Sequence, residues 1–318
     1  MGLGDGQVLK TEVPRRTWAI GGGKGGVGKS LIGICLAYWL GRLKGRVVLV
    51  DADLGGANLH TMLGIRVPSA SLEDFLLRKV GSLEEILLET ALPNVRLLAG
   101  GSEIPSLANP NYAQKTRLAR ALDRLSAEHI LVDLGAGTAL TTLDFFLACP
   151  HRIVVLTPQP TSIENAYGFI KAALYRKLAS ILRPTALKGL LDSGSDSQEH
   201  PFPRSTDEVL EEVALGAPAV LPAVQLAVTE FRVLLVVNQI RRQREEQVAE
   251  VLRKVAGRYL GTETRVLGCV PFDPAFERWA ARMDFGGFGR ERGDGALAAT
   301  YQIAYAMLQE SDAPRMAA

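Results

Sequence analysis

The feature that most constrains this chain is a glycine-rich run near its start, GGGKGGVGKS at residues 21–30, which follows the apolar residues 17–20. Gly23, Gly28, Lys29 and Ser30 fit the phosphate-loop pattern G-x-x-x-x-G-K-[ST], and residues 31–43 have the composition of a helix. Residues without a Cβ atom let such a loop curl until successive N–H groups point at phosphate oxygens, and the helix adds its positive N-terminal end. The run therefore predicts a nucleoside triphosphate site between a strand and a helix.

Within this loop, two side chains have expected roles in nucleotide chemistry. The Lys29 ammonium group reaches the terminal phosphates, and the Ser30 hydroxyl is a ligand of Mg2+. The residues of the run that we expect to contact the nucleotide are Gly25, Gly26, Val27, Gly28, Lys29 and Ser30, whereas Lys24 occupies an unconstrained position of the pattern and could on its own be a solvated charge.

Composition narrows the class of protein without identifying it. The 318 residues are enough for one large α/β domain or two small ones, and 47% hydrophobic and 22% charged residues describe an ordinary globular protein. A formal net charge of +2 gives no dominant attraction to nucleic acid or membrane. Three cysteines, far apart in apolar sequence, predict reduced core residues, and we find no apolar signal region in the first 16 residues and no run of 18 apolar residues. We therefore expect a cytoplasmic protein that is neither exported nor membrane-spanning.

Carboxylates follow two apolar segments that we predict to be buried strands. Asp51 and Asp53 come directly after residues 46–50, and Asp133 ends the apolar run that begins at His129. In open α/β sheets, ligands bind at the carboxyl ends of the strands, beside the phosphate loop. We therefore favour a role for Asp51 and Asp53 in binding Mg2+ and its water molecules, and the alternative is that they cap the loop by accepting backbone hydrogen bonds. An apolar strand that ends in Asp is the Walker B pattern, whose carboxylate holds Mg2+ directly or through water, whereas His129 at its start suits a structural role.

Four segments together resemble the family that holds MinD, ParA and the flagellar-number regulator FlhG. These are KGGVGKS (24–30), similar to its deviant Walker A motif; DADLGGANL (51–59), similar to its switch I; DLGAG (133–137), similar to its switch II; and TPQPTSI (157–163), similar to its dimer-face loop. The resemblance implies that Lys24 reaches across a nucleotide-sandwich dimer to the partner's phosphates, that Asp53 orients the attacking water, and that Asp51 is an outer-shell Mg2+ residue. Asn58, in the same switch, is predicted to bind nucleotide. Leu31 stands where the family usually has a second Thr or Ser, so we expect weaker phosphate binding, and Gln159 replaces an expected acidic residue.

Two later strand ends are predicted to hold the base. Asn238 ends the apolar run 231–237 and resembles the family's V-x-N motif, although a turn-forming Asn is the plainer alternative. Pro271 and Asp273 belong to the run GCVPFD at 268–273, which resembles the family's V-P-x-D loop. ATP rather than GTP is implied by this resemblance and by the absence of an N-K-x-D motif from the sequence.

The predicted fold is an α/β P-loop NTPase of the SIMIBI type, with a mainly parallel sheet of about seven or eight strands and helices on both faces. We divide the chain into a tail (1–16), an ATPase domain (17–282) with a variable insertion (183–230), and a linker with a C-terminal helix (283–318). The insertion either packs on the sheet or docks a partner, and within it residues 192–206 are predicted to be a loop. The C-terminal helix, 296–309, contains no Lys or Arg, so we expect core packing and no intrinsic membrane-targeting helix.

Smaller elements are predicted from capping and periodicity. Residues 71–92 are expected to form two short helices capped by Ser71 and Ser82, and Thr161 or Ser162 is expected to cap the helix after residue 160. A helix with a solvated face of mixed charge is predicted over 241–256.

These features together predict a Mg2+-dependent ATPase that dimerises on ATP, works slowly, and answers to an activating protein partner that recruits it to a membrane or pole. Its implied role is spatial regulation, of flagellum number or placement or of the division site. A ParA-like partition ATPase is the first alternative, and the near-neutral charge argues against DNA binding without excluding it. A metal-cluster carrier would need a C-x-x-C pair, which is not in the sequence, and an amide-forming biosynthetic ATPase would need a carboxylate substrate pocket.

Overall fold

Eight strands form one sheet in the computed structural model, which describes residues 16–43, 45–101, 110–187, 190–191, 205–282 and 295–312. Along the chain the strands are β1 (Thr17–Gly21), β2 (Val47–Ala52), β3 (Leu88–Glu89), β4 (Val95–Leu98), β5 (His129–Leu134), β6 (His151–Leu156), β7 (Arg232–Ile240) and β8 (Glu263–Pro271). Their order in the sheet is β3-β4-β2-β5-β1-β6-β7-β8. All neighbours are parallel except β3 and β4, so the predicted mainly parallel sheet is confirmed.

Helices cover both faces of this sheet. They are α1 (Lys29–Leu43), α2 (Leu59–Met62), α3 (Leu72–Leu76), α4 (Tyr112–Arg124), α5 (Leu140–Ala148), α6 (Pro160–Leu182), α7 (Thr206–Gly216), α8 (Leu221–Thr229), α9 (Gln247–Leu260), α10 (Pro274–Arg282) and α11 (Ala296–Asp312). None of these described helices is both long enough and apolar enough to cross a membrane.

The core consists of two apolar layers, one on each face of the sheet. Because successive side chains of a strand point to opposite faces, Ala19 of β1 lies in one layer while Trp18 and Ile20 lie in the other. The first layer packs α3 to α9 on the sheet, and the second packs α1 and α11 there. Both faces are covered, which explains why the central strands are apolar along their whole length.

The C-terminal helix is part of the second layer, as predicted. Ile303 and Met307 of α11 are buried there, and the Trp39 indole N–H of α1 donates to the backbone oxygen of Leu297 at 3.0 Å. The helix therefore packs on the same sheet as the phosphate loop. Residues 283–294 lie outside the described residues, and the proposed domain boundaries stay predictions.

The insertion also packs on the sheet side. Val209 and Val213 of α7 and Val224 of α8 are buried in the first layer, beside α6 and α9. This burial supports the structural alternative for residues 205–230, and a docking role stays a prediction. The predicted loop lies outside the described residues over 192–204.

Three local predictions were wrong. The second short helix of residues 71–92 is only a 3-10 turn at Glu84–Ile86, and the edge strand β3 follows it, because Leu88 finds a pairing partner on β4 that local sequence does not reveal. The first helix is confirmed, and the Ser71 N–H donates to the Asp74 carboxylate at 3.0 Å in a capping box.

The other two errors concern helix starts. Neither Thr161 nor Ser162 caps α6: the Ser162 hydroxyl accepts a hydrogen bond from the Thr157 N–H at 2.9 Å and closes the preceding loop, and Pro160 begins the helix. The helix predicted over 241–256 begins later, at Gln247, because the Glu245 carboxylate accepts the N–H groups of residues 241 and 242 and holds a 3-10 turn.

Candidate functional site

The predicted site residues meet at one edge of the sheet, where the strands β1, β2, β5, β7 and β8 end. These strands are parallel neighbours or next neighbours, so the loops that leave their carboxyl ends face the same space. The register places Ile20 of β1 beside Asp133 of β5, and Asp133 beside Asp51 of β2. Residues that are far apart in sequence thus form one cluster.

The phosphate loop is a curled segment that needs its glycines. Gly26 and Gly28 have φ angles of 78° and 90°, in the left-handed region that side chains rarely adopt. A Cβ atom on Gly23 would lie 2.0 Å from the backbone oxygen of Asn165, so the loop packs directly on the second turn of α6. The Gly137 N–H of the predicted switch II donates to the Gly22 oxygen at 3.2 Å, which joins the two motifs.

The two lysines of the loop have opposite environments. Lys29, at the start of α1, is only 9% exposed, as expected of a side chain enclosed by the loop. Lys24 is exposed, and its ammonium group lies 3.4 Å from the Thr161 hydroxyl at the start of α6. Lys24 therefore extends along the outer surface and contacts the loop at 157–163 that was predicted to form a dimer face.

That outer surface continues across neighbouring segments. Gln159 is exposed, and Leu140, at the first turn of α5 after switch II, is 42% exposed although its side chain is apolar. Leu31 is partly buried against the second core layer, and its predicted effect on phosphate binding stays a prediction.

Three carboxylates and one hydroxyl form the charged part of the site. Asp133 is 2% exposed, and burial raises its pKa to about 7; its hydrogen bond with Ser30 opposes this rise, and the nearby Asp51 carboxylate adds to it. The Oδ1 atom of Asp133 is buried and has no hydrogen-bond partner among the residues that the structure describes. A buried carboxylate oxygen without a partner raises the free energy of the folded state unless a cation or a hydrogen-bond donor binds it.

Asp51 makes the anchoring contacts expected of a loop-capping residue, and the metal role predicted for it stays a prediction. Its Oδ2 atom accepts the N–H groups of Asn58 and Leu59, both at 3.0 Å, and so anchors the first turn of α2. Burial raises the pKa of Asp51 to about 6, and its backbone hydrogen bonds oppose the rise. Asn58 contributes its backbone to this anchor, and its predicted contact with nucleotide stays a prediction.

Asp53 lies against the other switch. A Cβ atom on Gly135 would come within 2.9 Å of the Asp53 Oδ1 atom, and one on Gly56 within 3.3 Å of Oδ2. The half-buried carboxylate thus lies close to the backbone of both predicted switches. This position, between the strand ends of β2 and β5, is compatible with the water-orienting role predicted for it.

The residues present fit a Mg2+ ion held together with phosphates. The Ser30 hydroxyl and the unpaired Asp133 oxygen are hard oxygen donors, which Mg2+ prefers, and Mg2+ commonly uses one or two carboxylates plus phosphates and water. Among the described residues, no three His, Cys, Asp or Glu side chains are grouped closely enough to hold a metal alone.

At the base end, the predicted residues have structural contacts of their own. The Asn238 amide, 4% exposed, donates to the Val27 oxygen of the phosphate loop at 2.9 Å. The Asp273 carboxylate accepts the Ala275 N–H at 2.8 Å and caps α10, and Pro271 ends β8. The Arg241 guanidinium stacks over the Phe272 ring at 3.6 Å, which forms a flat polar surface at this edge.

A buried ionic cluster joins α4, α5 and α6 and was not predicted from the sequence. Asp144 of α5 is fully buried and contacts the Lys115 ammonium of α4 at 2.7 Å and the Arg176 guanidinium of α6 at 3.0 Å. These contacts join three helices, of which α5 directly follows switch II. The available signal was a single acidic residue in the otherwise uncharged helix LTTLDFFLA.

Comparison with known proteins decides the family. The CobQ/CobB/MinD/ParA nucleotide binding domain matches residues 18–284, which is most of the chain. The chain belongs to this family. It therefore contains a nucleotide-binding domain of the P-loop type, and the predicted family resemblance is confirmed.

Among curated proteins, the chain is similar to regulators of flagella, to putative septum site-determining MinD proteins and to iron-sulfur cluster carrier proteins. The chain is 34% identical over 160 residues to the antiactivator FleN of Pseudomonas aeruginosa, covering 50% of this chain and 56% of FleN. It is 37% identical over 161 residues to the flagellum site-determining protein YlxH of Helicobacter pylori, covering 48% and 52%. The chain thus spans about half the length of the curated relatives it matches.

Solved structures support the fold over nearly the whole chain. The septum site-determining protein MinD of Pyrococcus horikoshii, solved with Mg-ADP, is 19% identical with a TM-score of 0.63, and the match covers 93% of this chain and 97% of that one. MinD of Pyrococcus furiosus, a cell division ATPase, is 22% identical with a TM-score of 0.61, covering 93% and 100%. At these identities the likeness shows the fold alone.

Proposed function

We propose that this protein is a Mg2+-dependent ATPase that forms a dimer when it binds ATP and separates after hydrolysis. The observation that carries the proposal is the contrast between its two loop lysines. Lys29 is buried where it can serve the nucleotide of its own subunit, whereas Lys24 is exposed on the outer surface. An exposed lysine in a phosphate loop can reach the phosphates of a second subunit.

Each polar group of the site has a role in this proposal. The loop N–H groups and Lys29 bind the phosphates, and the backbone glycines allow their close approach. Ser30, Asp133 and Asp51 would hold Mg2+, directly or through water, and the ion would supply positive charge that offsets the charge of the phosphates. Asp53 accepts a hydrogen bond from the attacking water and orients it, and Lys24 of the second subunit stabilises charge on the transferred phosphate.

Adenine is the proposed base, at the ends of β7 and β8. Pro271 and Asp273 lie there, and the stacked pair Arg241 and Phe272 supplies a flat surface beside them. The assignment of Asn238 to base recognition stays a prediction, because its amide N–H already binds the phosphate loop.

The proposed cellular role is spatial regulation of the flagellar kind. FleN and YlxH, by name an antiactivator and a flagellum site-determining protein, share about half of their length with this chain. A protein that dimerises on ATP has two states that a partner can distinguish, so we propose a cytoplasmic protein that a partner activates and recruits. MinD from Aquifex aeolicus, solved in a complex with MinC, is an example of the fold bound to a partner.

The test is a comparison of two lysine substitutions. Lys24→Ala should abolish the ATP-dependent dimer while nucleotide binding by the monomer largely survives. Losing one partner of a desolvated charge pair costs about 2–5 kcal/mol, which weakens dimerisation about thirtyfold to several thousandfold. Lys254→Ala removes an exposed lysine of α9, far along the chain from the loop, and is the matched control.

The measurement is size-exclusion chromatography with light scattering in ATP and Mg2+, on forms that also carry Asp53→Ala to slow hydrolysis. The control should elute as a dimer and the Lys24→Ala form as a monomer. An ATP-dependent dimer that persists without Lys24 would contradict the proposal.

A further inference from the structure

The end of β7 contacts the phosphate loop through two consecutive side chains. The Asn238 amide donates to the Val27 oxygen at 2.9 Å, and the Gln239 amide reaches the Gly26 oxygen at 3.5 Å. We propose that Asn238 and Gln239 are positioning residues that hold the phosphate loop in its binding conformation. This inference rests on the proposed nucleotide site and gives Asn238 a role other than base recognition.

Peptide geometry explains how such contacts act on phosphates. In a trans peptide the C=O of one residue and the N–H of the next point in opposite directions. Holding the oxygens of Gly26 and Val27 toward β7 therefore turns the N–H groups of Val27 and Gly28 away from β7. The two amides fix the direction of loop N–H groups without touching the nucleotide.

The strand is distorted in a way that makes both contacts available. Successive side chains of a regular strand point to opposite faces, so two neighbours could not both face the loop. Here the pairing register of β7 with β8 shifts between Val237 and Ile240, and Gln239 has a φ angle of 62°. A left-handed residue in a β-bulge points its side chain in a different direction from a regular strand residue. The backbone strain at such a residue raises the free energy of the folded state, and uncharged surface contacts alone seldom offset it.

The loop side is fitted to Asn238 as well. A Cβ atom on Gly28 would lie 2.3 Å from the Asn238 Nδ2 atom, and Gly28 itself has a φ angle of 90°. Asn238 is buried, so water cannot replace its contact with Val27 at little cost.

Loop positioning and base recognition predict different ligand profiles. A positioning residue affects the phosphates, which all triphosphates share, whereas a base-reading residue affects the preference for one base. Asn238→Ala should therefore weaken binding of MgATP, MgGTP and Mg-tripolyphosphate by the same factor, about tenfold to hundredfold, because it leaves a buried carbonyl unpaired. The ratio of ATP to GTP affinity should not change.

Substitutions of Gln239 separate its amide from its backbone. Gln239→Gly removes the amide and relieves the left-handed backbone, so it should fold at least as stably as the parent protein and still bind all three ligands about two- to tenfold more weakly. Gln239→Asn, which tolerates the same φ angle and keeps an amide, should recover part of that loss. Gln243→Ala, at an exposed position of the following turn, is the matched control and should bind as the parent does.

The measurement is isothermal titration of the full chain with each ligand, with thermal melts to show that each variant is folded. Equal losses across the three ligands support loop positioning. A loss confined to MgATP would overturn it in favour of base recognition, and parent-like affinity of Gln239→Gly would remove Gln239 from the assignment. If the parent protein binds no triphosphate, the proposed function fails and the positioning role fails with it.

Discussion

The buried ionic cluster makes a strong prediction about stability. Asp144→Ala removes the carboxylate that binds both the Lys115 ammonium and the Arg176 guanidinium, while the side chains of both cations stay only 10% exposed. Removing one member of a buried ion pair typically costs about 3–5 kcal/mol, because the remaining charge is no longer compensated. We expect Asp144→Ala to destabilise the protein by at least that much.

The expected shift in melting temperature follows from chain length. An unfolding entropy of about 2.1 cal/mol/K per residue gives roughly 0.7 kcal/mol/K for 318 residues. A loss of about 3–5 kcal/mol then lowers the melting temperature by about 4–8 °C. Differential scanning calorimetry of the parent and variant measures this shift directly.

Two further variants make the result specific to the cluster. Asp123→Ala removes an exposed carboxylate from the same helix as Lys115 and should leave the melting temperature within about 1 °C. Lys115→Met in the Asp144→Ala background removes one unpaired cation and should recover part of the loss. The reasoning is refuted if Asp144→Ala melts within about 1 °C of the parent, or if the double variant is less stable than the single one.

Two smaller changes test the packing around the site. Gly23→Ala should lower the melting temperature, because its Cβ atom would lie 2.0 Å from the Asn165 oxygen. Gly25→Ala should leave it unchanged, because no atom lies within 4 Å of the added carbon. Equal melting temperatures of the two variants would contradict the contact. Trp39→Phe keeps an aromatic ring and deletes the N–H that binds the Leu297 oxygen, at a cost of about 1 kcal/mol. Faster amide hydrogen exchange in α11, with α4 unchanged, is the expected result, and unchanged exchange in α11 would show that this bond does not hold the helix.

Sequence predicted the site where chemistry is carried by short motifs. Lys29 and Ser30 belong to a glycine pattern whose physical reason is phosphate binding. Asp133 lies near the end of an apolar strand whose register places it beside β1. Local motifs on parallel strands converge at one edge because the topology of such sheets is restricted. This is why the main chemical residues could be proposed before any contact was seen.

Contacts between distant side chains could not be predicted in this way. The amide of Asn238 binds a loop that lies 211 residues earlier, and Asp144 joins two helices through bonds that no spacing rule encodes. The strand β3 has two residues, and it is a strand only because β4 offers it hydrogen bonds. Pairing and burial decide these features, and a single sequence records neither.

Among the described strands β1 is synthesised first, yet its neighbours in the sheet are synthesised much later. Its neighbours in the sheet, β5 and β6, come only at residues 129–134 and 151–156, and the amide that supports its loop comes at residue 238. At synthesis rates of about 5–20 residues per second, the glycine-rich loop waits roughly 5–20 s for its first neighbour and about as long again for Asn238. A nascent chain arrested before β7 would carry the whole phosphate-binding motif and still lack the loop's support. Nucleotide binding during translation would therefore report that the sheet is nearly finished, and not merely that the motif has been made.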